Sequence, residues 1–210
     1  MAKFYLAFEL VVLFVGLPAA MALRVLPRAP IPVLLIAGIS CTAVLLRDPG
    51  FDRTLLWNVD GAVAHLRAAL VLFAVLAVAA SGFVAWLMPE ALFDLVRTRP
   101  RLWLLVMVFY PLVSVYPQEL IYRSFFFHRY AALFPSSAAC ALASAALFAF
   151  GHVFFPRPWI AMGLTLAGGV LFGYHYAQSR SLLLVSIEHA LFGQVMFTVG
   201  LGRFFYHGAS

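Results

Sequence analysis

Glu119, Arg123, His152, Glu188 and His189, with the amide of Gln118 beside them, sit in or next to strongly apolar runs. An ionisable side chain at membrane depth costs roughly 2.5 to 3.5 kcal/mol on insertion scales, so residues placed there are retained for a purpose. In the stretch Gln118-Glu119-Leu120-Ile121-Tyr122-Arg123, the acid and the base are four apart. On a helix they share a face and can pair, and an isolated pair of this kind can also be purely structural, pinning two helices. His152 follows Phe148-Ala149-Phe150-Gly151, and by itself reads as a hydrogen-bonded packing residue. Glu188 and His189 add a second acid and a second imidazole in the last long apolar run. Two imidazoles and a carboxylate from three helices suffice either to hold a metal, with Glu119, His152 and His189 as ligands and zinc as one candidate, or to activate a water.

The elements that must position these residues are membrane helices. The chain has 210 residues, 65% hydrophobic and 10% charged, with a mean hydropathy of +1.00. That is the composition of a polytopic membrane protein, all-α, and one domain over residues 1–210. The net charge of +6 comes from arginines scattered in short connections, whereas a nucleic-acid binder gathers Lys and Arg on one face, so no nucleic-acid partner is expected. Apolar runs cover Phe4 to Leu23, Ile31 to Leu46, Ala68 to Met88, Leu102 to Tyr116, Ser137 to Phe155, Trp159 to Gln178 and Leu182 to Val199. An eighth segment, Glu119 to Phe134, begins after Pro117 and mixes aromatics with Arg123, His128 and Arg129; it reads as a piece entering from the interface. A bundle of seven to eight transmembrane or embedded helices is therefore expected.

Arg47 to Arg67 reads as the longest polar loop. Glu9 interrupts the first run, which is long enough to span and reads as a retained helix instead of a signal peptide. Positive residues on the two sides of the membrane number five against four and leave orientation open. Cys41 and Cys140 read as small packing residues. Tyr174-His175-Tyr176 reads as an interfacial belt, His128 and Arg129 as headgroup contacts, Gly168, Gly169 and Gly173 as sites of close helix packing, and Gly200 to Tyr206 as an exit at the interface.

In order and spacing, Gln118-Glu119-x-x-x-Arg123, Phe148-x-x-x-His152 and His189 resemble the motifs of the CAAX protease and bacteriocin-processing family, also called ABI. The resemblance covers approximately residues 102–202 and leaves 1–101 as an N-terminal three-helix extension. It implies an intramembrane endopeptidase acting on a membrane-associated peptide or protein, with glutamate and histidine activating water and a polar side chain steadying the oxyanion. Carried over by motif, Glu119, Arg123, His152 and His189 are its catalytic residues. Two positions depart from the pattern: Gln118 stands where the family has its first glutamate, and Gly193 where it has an asparagine. An amide is no general base, which shifts the base role to Glu119, with Gln118 or Gln194 offering an oxyanion donor and Glu188 as a further acid.

A second reading is a catalytically degenerate member, a membrane scaffold or immunity protein. A third is a small transporter or proton relay through Glu119, His152 and Glu188. Neither His-Glu-x-x-His nor Gly-x-Ser-x-Gly occurs. Compactness and an Arg-, Ala- and Leu-rich composition lead to a bacterial inner membrane as the expected location.

Overall fold

The computed structural model describes residues 2–205, and among these every regular element is helical. Among the described residues six helices are long and apolar enough to cross a membrane: α1 (Lys3–Ala22), α2 (Pro30–Arg47), a third within Arg53–Leu87, α4 (Pro100–Leu133), α6 (Pro158–Ser179) and α7 (Leu182–Val199). The third comprises a 3₁₀ turn, Arg53–Leu56, and then α3 (Val59–Leu87). A shorter apolar helix, α5 (Ser137–Phe150), lies between α4 and α6. The chain is thus a polytopic all-α bundle, with outward faces that leave Ile36, Ile39 and Val78 at least 66% exposed. Such residues need no protein cover in hydrocarbon, where lipid tails are as apolar as they are.

Boundaries follow local chemistry. Pro30, Pro100 and Pro158 stand in the first turn of their helices, where a missing N–H goes unnoticed. Ser136 and Ser181 cap α5 and α7 by accepting from the backbone N–H of Ala139 and Leu184.

Several expectations are corrected here. The first concerns the loop from Arg47 to Arg67, because residues 59–67 belong to α3. Asn58 caps that helix through Gly61 N–H at 2.9 Å and donates to the carbonyls of Ser179 and Arg180, while Ser181 Oγ donates to Asn58 O at 2.7 Å. These bonds dock the start of α3 onto the α6–α7 turn and hold nine further residues helical.

The second concerns the segment after Pro117, which is no separate interfacial piece. Residues 100–133 form one long helix in which Pro111–Val115 and Leu120–Phe125 are π-helical turns. A proline inside an α-helix loses a hydrogen bond and crowds the carbonyl one turn back, and the wider π turns relieve that strain without ending the helix. Pro117 lies in the four-residue α-turn between them.

Charges expected at headgroups are internal clamps. Arg129 binds Glu9 of α1 through two bonds of 3.0 and 2.8 Å, and Tyr130 Oη donates to the same carboxylate at 2.8 Å. His128 meets Asp48 at 2.8 Å, a hydrogen bond that holds the Asp48 carboxyl below its usual range. The interfacial belt is corrected too: Tyr174 is exposed, but Tyr176 is buried against Phe127, their ring centres 5.1 Å apart. The stretch after Gly200 turns inward as a 3₁₀ segment, Leu201–Phe205, with Leu201 and Phe204 buried; Tyr206 lies outside the described residues.

The small-residue reading of α6 holds. A Cβ on Gly169 would come within 3.1 Å of both Ala145 Cα and Phe148 Cδ1, so α5 and α6 approach closely because glycine is there. Gly169→Leu is therefore expected to lower the thermal midpoint of the purified protein in detergent, an overpacking loss of about 1–3 kcal/mol. Gly163→Leu, at a glycine with nothing within 4 Å, is expected to leave it unchanged.

Candidate active site

The long helix α4 delivers most of the site, because the π turn after Glu119 changes the pitch between residues that must face different neighbours. Glu119 and Arg123 are both 0% exposed, and Arg123 Nε lies 3.1 Å from Glu119 Oε2. The contact is a charge pair whose geometry falls short of a hydrogen bond, which leaves Glu119 Oε2 and Arg123 Nε and Nη2 without hydrogen-bond partners among the described residues. Arg123 Nη1 donates to Ser144 Oγ on α5 at 3.2 Å, and its guanidinium stands 5.2 Å from the centre of the Phe148 ring. Removing one partner of such a buried pair strands the other charge, a loss of about 3–5 kcal/mol.

The other oxygen, Glu119 Oε1, is 2.8 Å from His189 Nδ1 on α7. A carboxylate only accepts, so Nδ1 carries the hydrogen and, in the neutral ring, Nε2 is the acceptor. Tyr110 Oη is 3.2 Å from that Nε2 and donates to it in this tautomer. The imidazole is also clamped between rings: Phe172 stacks on it at 4.9 Å and Phe148 meets it edge-on at 5.6 Å. Every freedom of His189 is thereby used, rotation by the rings and tautomer by Glu119.

His152 follows the end of α5, where its Nδ1 lies 2.8 Å from the carbonyl of Phe148. That bond again puts the hydrogen on Nδ1 and leaves Nε2 as acceptor. Phe155 stacks on the ring at 5.6 Å, and Phe205 from the C-terminal turn approaches it edge-on at 6.0 Å. Gln118 Nε2 donates to Ser114 O at 3.0 Å and Ser114 Oγ at 2.8 Å, so its remaining polar atom is the amide oxygen.

Gln118, His152, His189, Tyr110 and Gly193 all line one cavity of about 1790 Å³. This exceeds the roughly 300–1,000 Å³ of an ordinary small-molecule pocket. Its walls are overwhelmingly apolar, with Leu34 from α2, Leu72 from α3 and Leu171 from α6 among them. Glu119 and Arg123 stand behind this surface and do not line it.

The remaining sequence candidates lie elsewhere. Glu188 Oε1 binds His175 Nδ1 at 2.6 Å, between α6 and α7, and neither residue lines the cavity. Gln194 donates to Met107 O at 2.8 Å and borders a smaller cleft with Phe73 and Thr198. Tyr110 was not singled out by the sequence, where an aromatic before Pro111 looks like any other apolar residue. A metal does not fit the proposed ligand set. Among the described residues no three His, Cys, Asp or Glu side chains converge, and the Glu119 oxygens already face an imidazole N–H and a guanidinium, whose positive charge repels a cation.

Residues 100–194, a little under half of the chain, match the family model described as Rce1-like, type II CAAX prenyl endopeptidase Rce1-like. No curated protein and no solved structure matches the chain significantly. The segment that carries Tyr110, Gln118, Glu119, Arg123, His152 and His189 is therefore similar to the Rce1-like, type II CAAX prenyl endopeptidase family.

Proposed function

We propose that this integral, multi-pass membrane protein is an intramembrane endopeptidase that hydrolyses a peptide bond of a membrane-associated substrate in the large cavity. The observation that carries the reading is that His152, His189 and Gln118 all line one apolar cavity, with His189 held by a sealed carboxylate. The match of residues 100–194 to a prenyl endopeptidase family supports it, and a cavity of this size and apolarity suits a substrate presented with a hydrocarbon anchor. A bacterial inner membrane is the proposed setting.

His152 acts as general base through Nε2. A water donates one hydrogen to that nitrogen and the other to the Gln118 amide oxygen, which orients the water without taking a proton. The water oxygen attacks the scissile carbonyl carbon as His152 receives the first proton. Collapse of the tetrahedral intermediate breaks the C–N bond, and His152 returns the proton to the departing amine. Glu119 and Arg123 are positioning residues: neither borders the cavity, and Glu119 keeps the His189 Nε2 turned toward it.

The test is a comparison of new protein termini in membranes of cells expressing the wild-type chain or His152→Ala at equal levels. Termini present with the first and absent with the second are expected. Identical sets of termini would favour the second reading, a scaffold that binds through the same cavity, for which Gln118 and Gly193 give the motive.

Glu119→Gln is a distinct prediction. The amide can donate to His189 Nδ1 and drive the hydrogen to Nε2, and misplacing a catalytic histidine's tautomer lowers turnover about 10⁴-fold in the serine-protease triad. A loss of about 10²- to 10⁴-fold in cleavage of the same peptide, with little change in KM, is expected. A Glu119→Gln variant as active as wild type would remove Glu119 from the account.

A further inference from the structure

We infer that Tyr110 supplies the hydroxyl that binds the carbonyl oxygen of the scissile peptide as it becomes an oxyanion, and that Gly193 is the residue that admits it. The inference rests on the peptide-hydrolysis reading above and adds an oxyanion donor that the reading lacks.

The geometry is a keyhole. A Cβ placed on Gly193 would lie 2.3 Å from Tyr110 Cε1, 2.4 Å from its Oη and 2.6 Å from its Cζ. Each is far inside van der Waals contact, so the phenol occupies the volume in which any other residue at 193 would place its side chain. Phe197, one turn further along α7, meets the ring edge-on at 5.4 Å and closes the slot on that side. The π turn that begins at Pro111 follows Tyr110 directly.

The hydroxyl that arrives by this route lies 3.2 Å from His189 Nε2, and both residues line the cavity with His152. With the His189 hydrogen committed to Glu119, the phenol hydrogen rests on Nε2. Neither candidate amide replaces it as donor, since both hydrogens of Gln118 Nε2 are directed at Ser114 and Gln194 does not line the cavity. When water attacks the carbonyl carbon, the carbonyl π pair moves onto its oxygen and the phenol hydrogen turns to that oxygen. The O–H bond of Tyr110 does not break; the proton released by the water is carried by His152 throughout. A single donor of this kind is worth about 10²- to 10³-fold in turnover because it meets charge that exists only in the transition state.

The probe is the membrane peptide whose cleavage is lost in His152→Ala cells, assayed with enzyme reconstituted in lipid. Tyr110→Phe keeps the ring and its packing. It is expected to lower kcat about 10²- to 10³-fold with KM nearly unchanged. Gly193→Ala, which displaces the ring, is expected to lower kcat comparably, and the double variant to be no worse than the weaker single one. A Tyr110→Phe enzyme that turns over at the wild-type rate, or faster as if a cap on His189 had been lifted, would overturn this inference while the inactivity of His152→Ala left the hydrolysis reading standing. If no cleavage in any membrane depends on His152, both fall together.

Discussion

A carboxylate with no access to water has to be neutralised where it stands, and the buried Glu119 meets that demand with Arg123 on its own helix and His189 from α7. In a low-dielectric interior each partner is held by the others, since loss of one strands a charge. The same contacts join three helices: α4 carries the acid and the guanidinium, α7 the imidazole, and α5 the Ser144 hydroxyl that accepts from Arg123 and in turn donates to Tyr122 O at 2.5 Å. In the proposed mechanism Glu119 is the anchor of the site, and the cavity-facing group it orients is His189.

Packing extends that constraint. Phe148 touches nearly everything that matters, with ring centres 5.1 Å from Tyr122, 5.0 Å from His152 and 5.6 Å from His189, besides its cation–π contact to Arg123. It holds this place because α5 lies against the glycines of α6, where Gly173 would put a Cβ 3.3 Å from the Ala141 carbonyl. Small residues in α6 therefore help set the position of His152, which follows the end of α5 about three turns beyond that contact. The first three helices contribute the cavity's apolar walls, and the Glu9 clamp on Arg129 and Tyr130 ties α1 to the far end of α4.

The apolar runs were legible in the sequence because lipid demands them one residue at a time. Order and spacing also exposed Glu119, Arg123, His152 and His189, since ionisable groups stand out against Leu, Ala and Phe. The continuation of α4 through Pro117 was not legible: local propensity ends a helix at proline, and only the π turns on either side, supported by packing, keep it whole. Likewise the early start of α3 depends on Asn58 reaching carbonyls more than 120 residues away. Glu188 looked like a site acid because it adjoins His189, but adjacent residues on a helix point about 100° apart, and Glu188 faces His175 instead. Tyr110 carried no signal at all; the only hint was the glycine at 193, and its meaning appears when the two helices are seen side by side.

The most direct test of the anchor is the protonation state of one ring. Nitrogen-15 spectra of selectively labelled histidine, in the protein reconstituted in lipid and assigned through a His189→Gln sample, report which nitrogen bears hydrogen. The expected result is a His189 signal pair with hydrogen on Nδ1 and an unprotonated Nε2, reversing in Glu119→Gln. A His189 that carries its hydrogen on Nε2 in the wild-type protein, and is indifferent to Glu119→Gln, would contradict the central claim that the buried carboxylate sets the site.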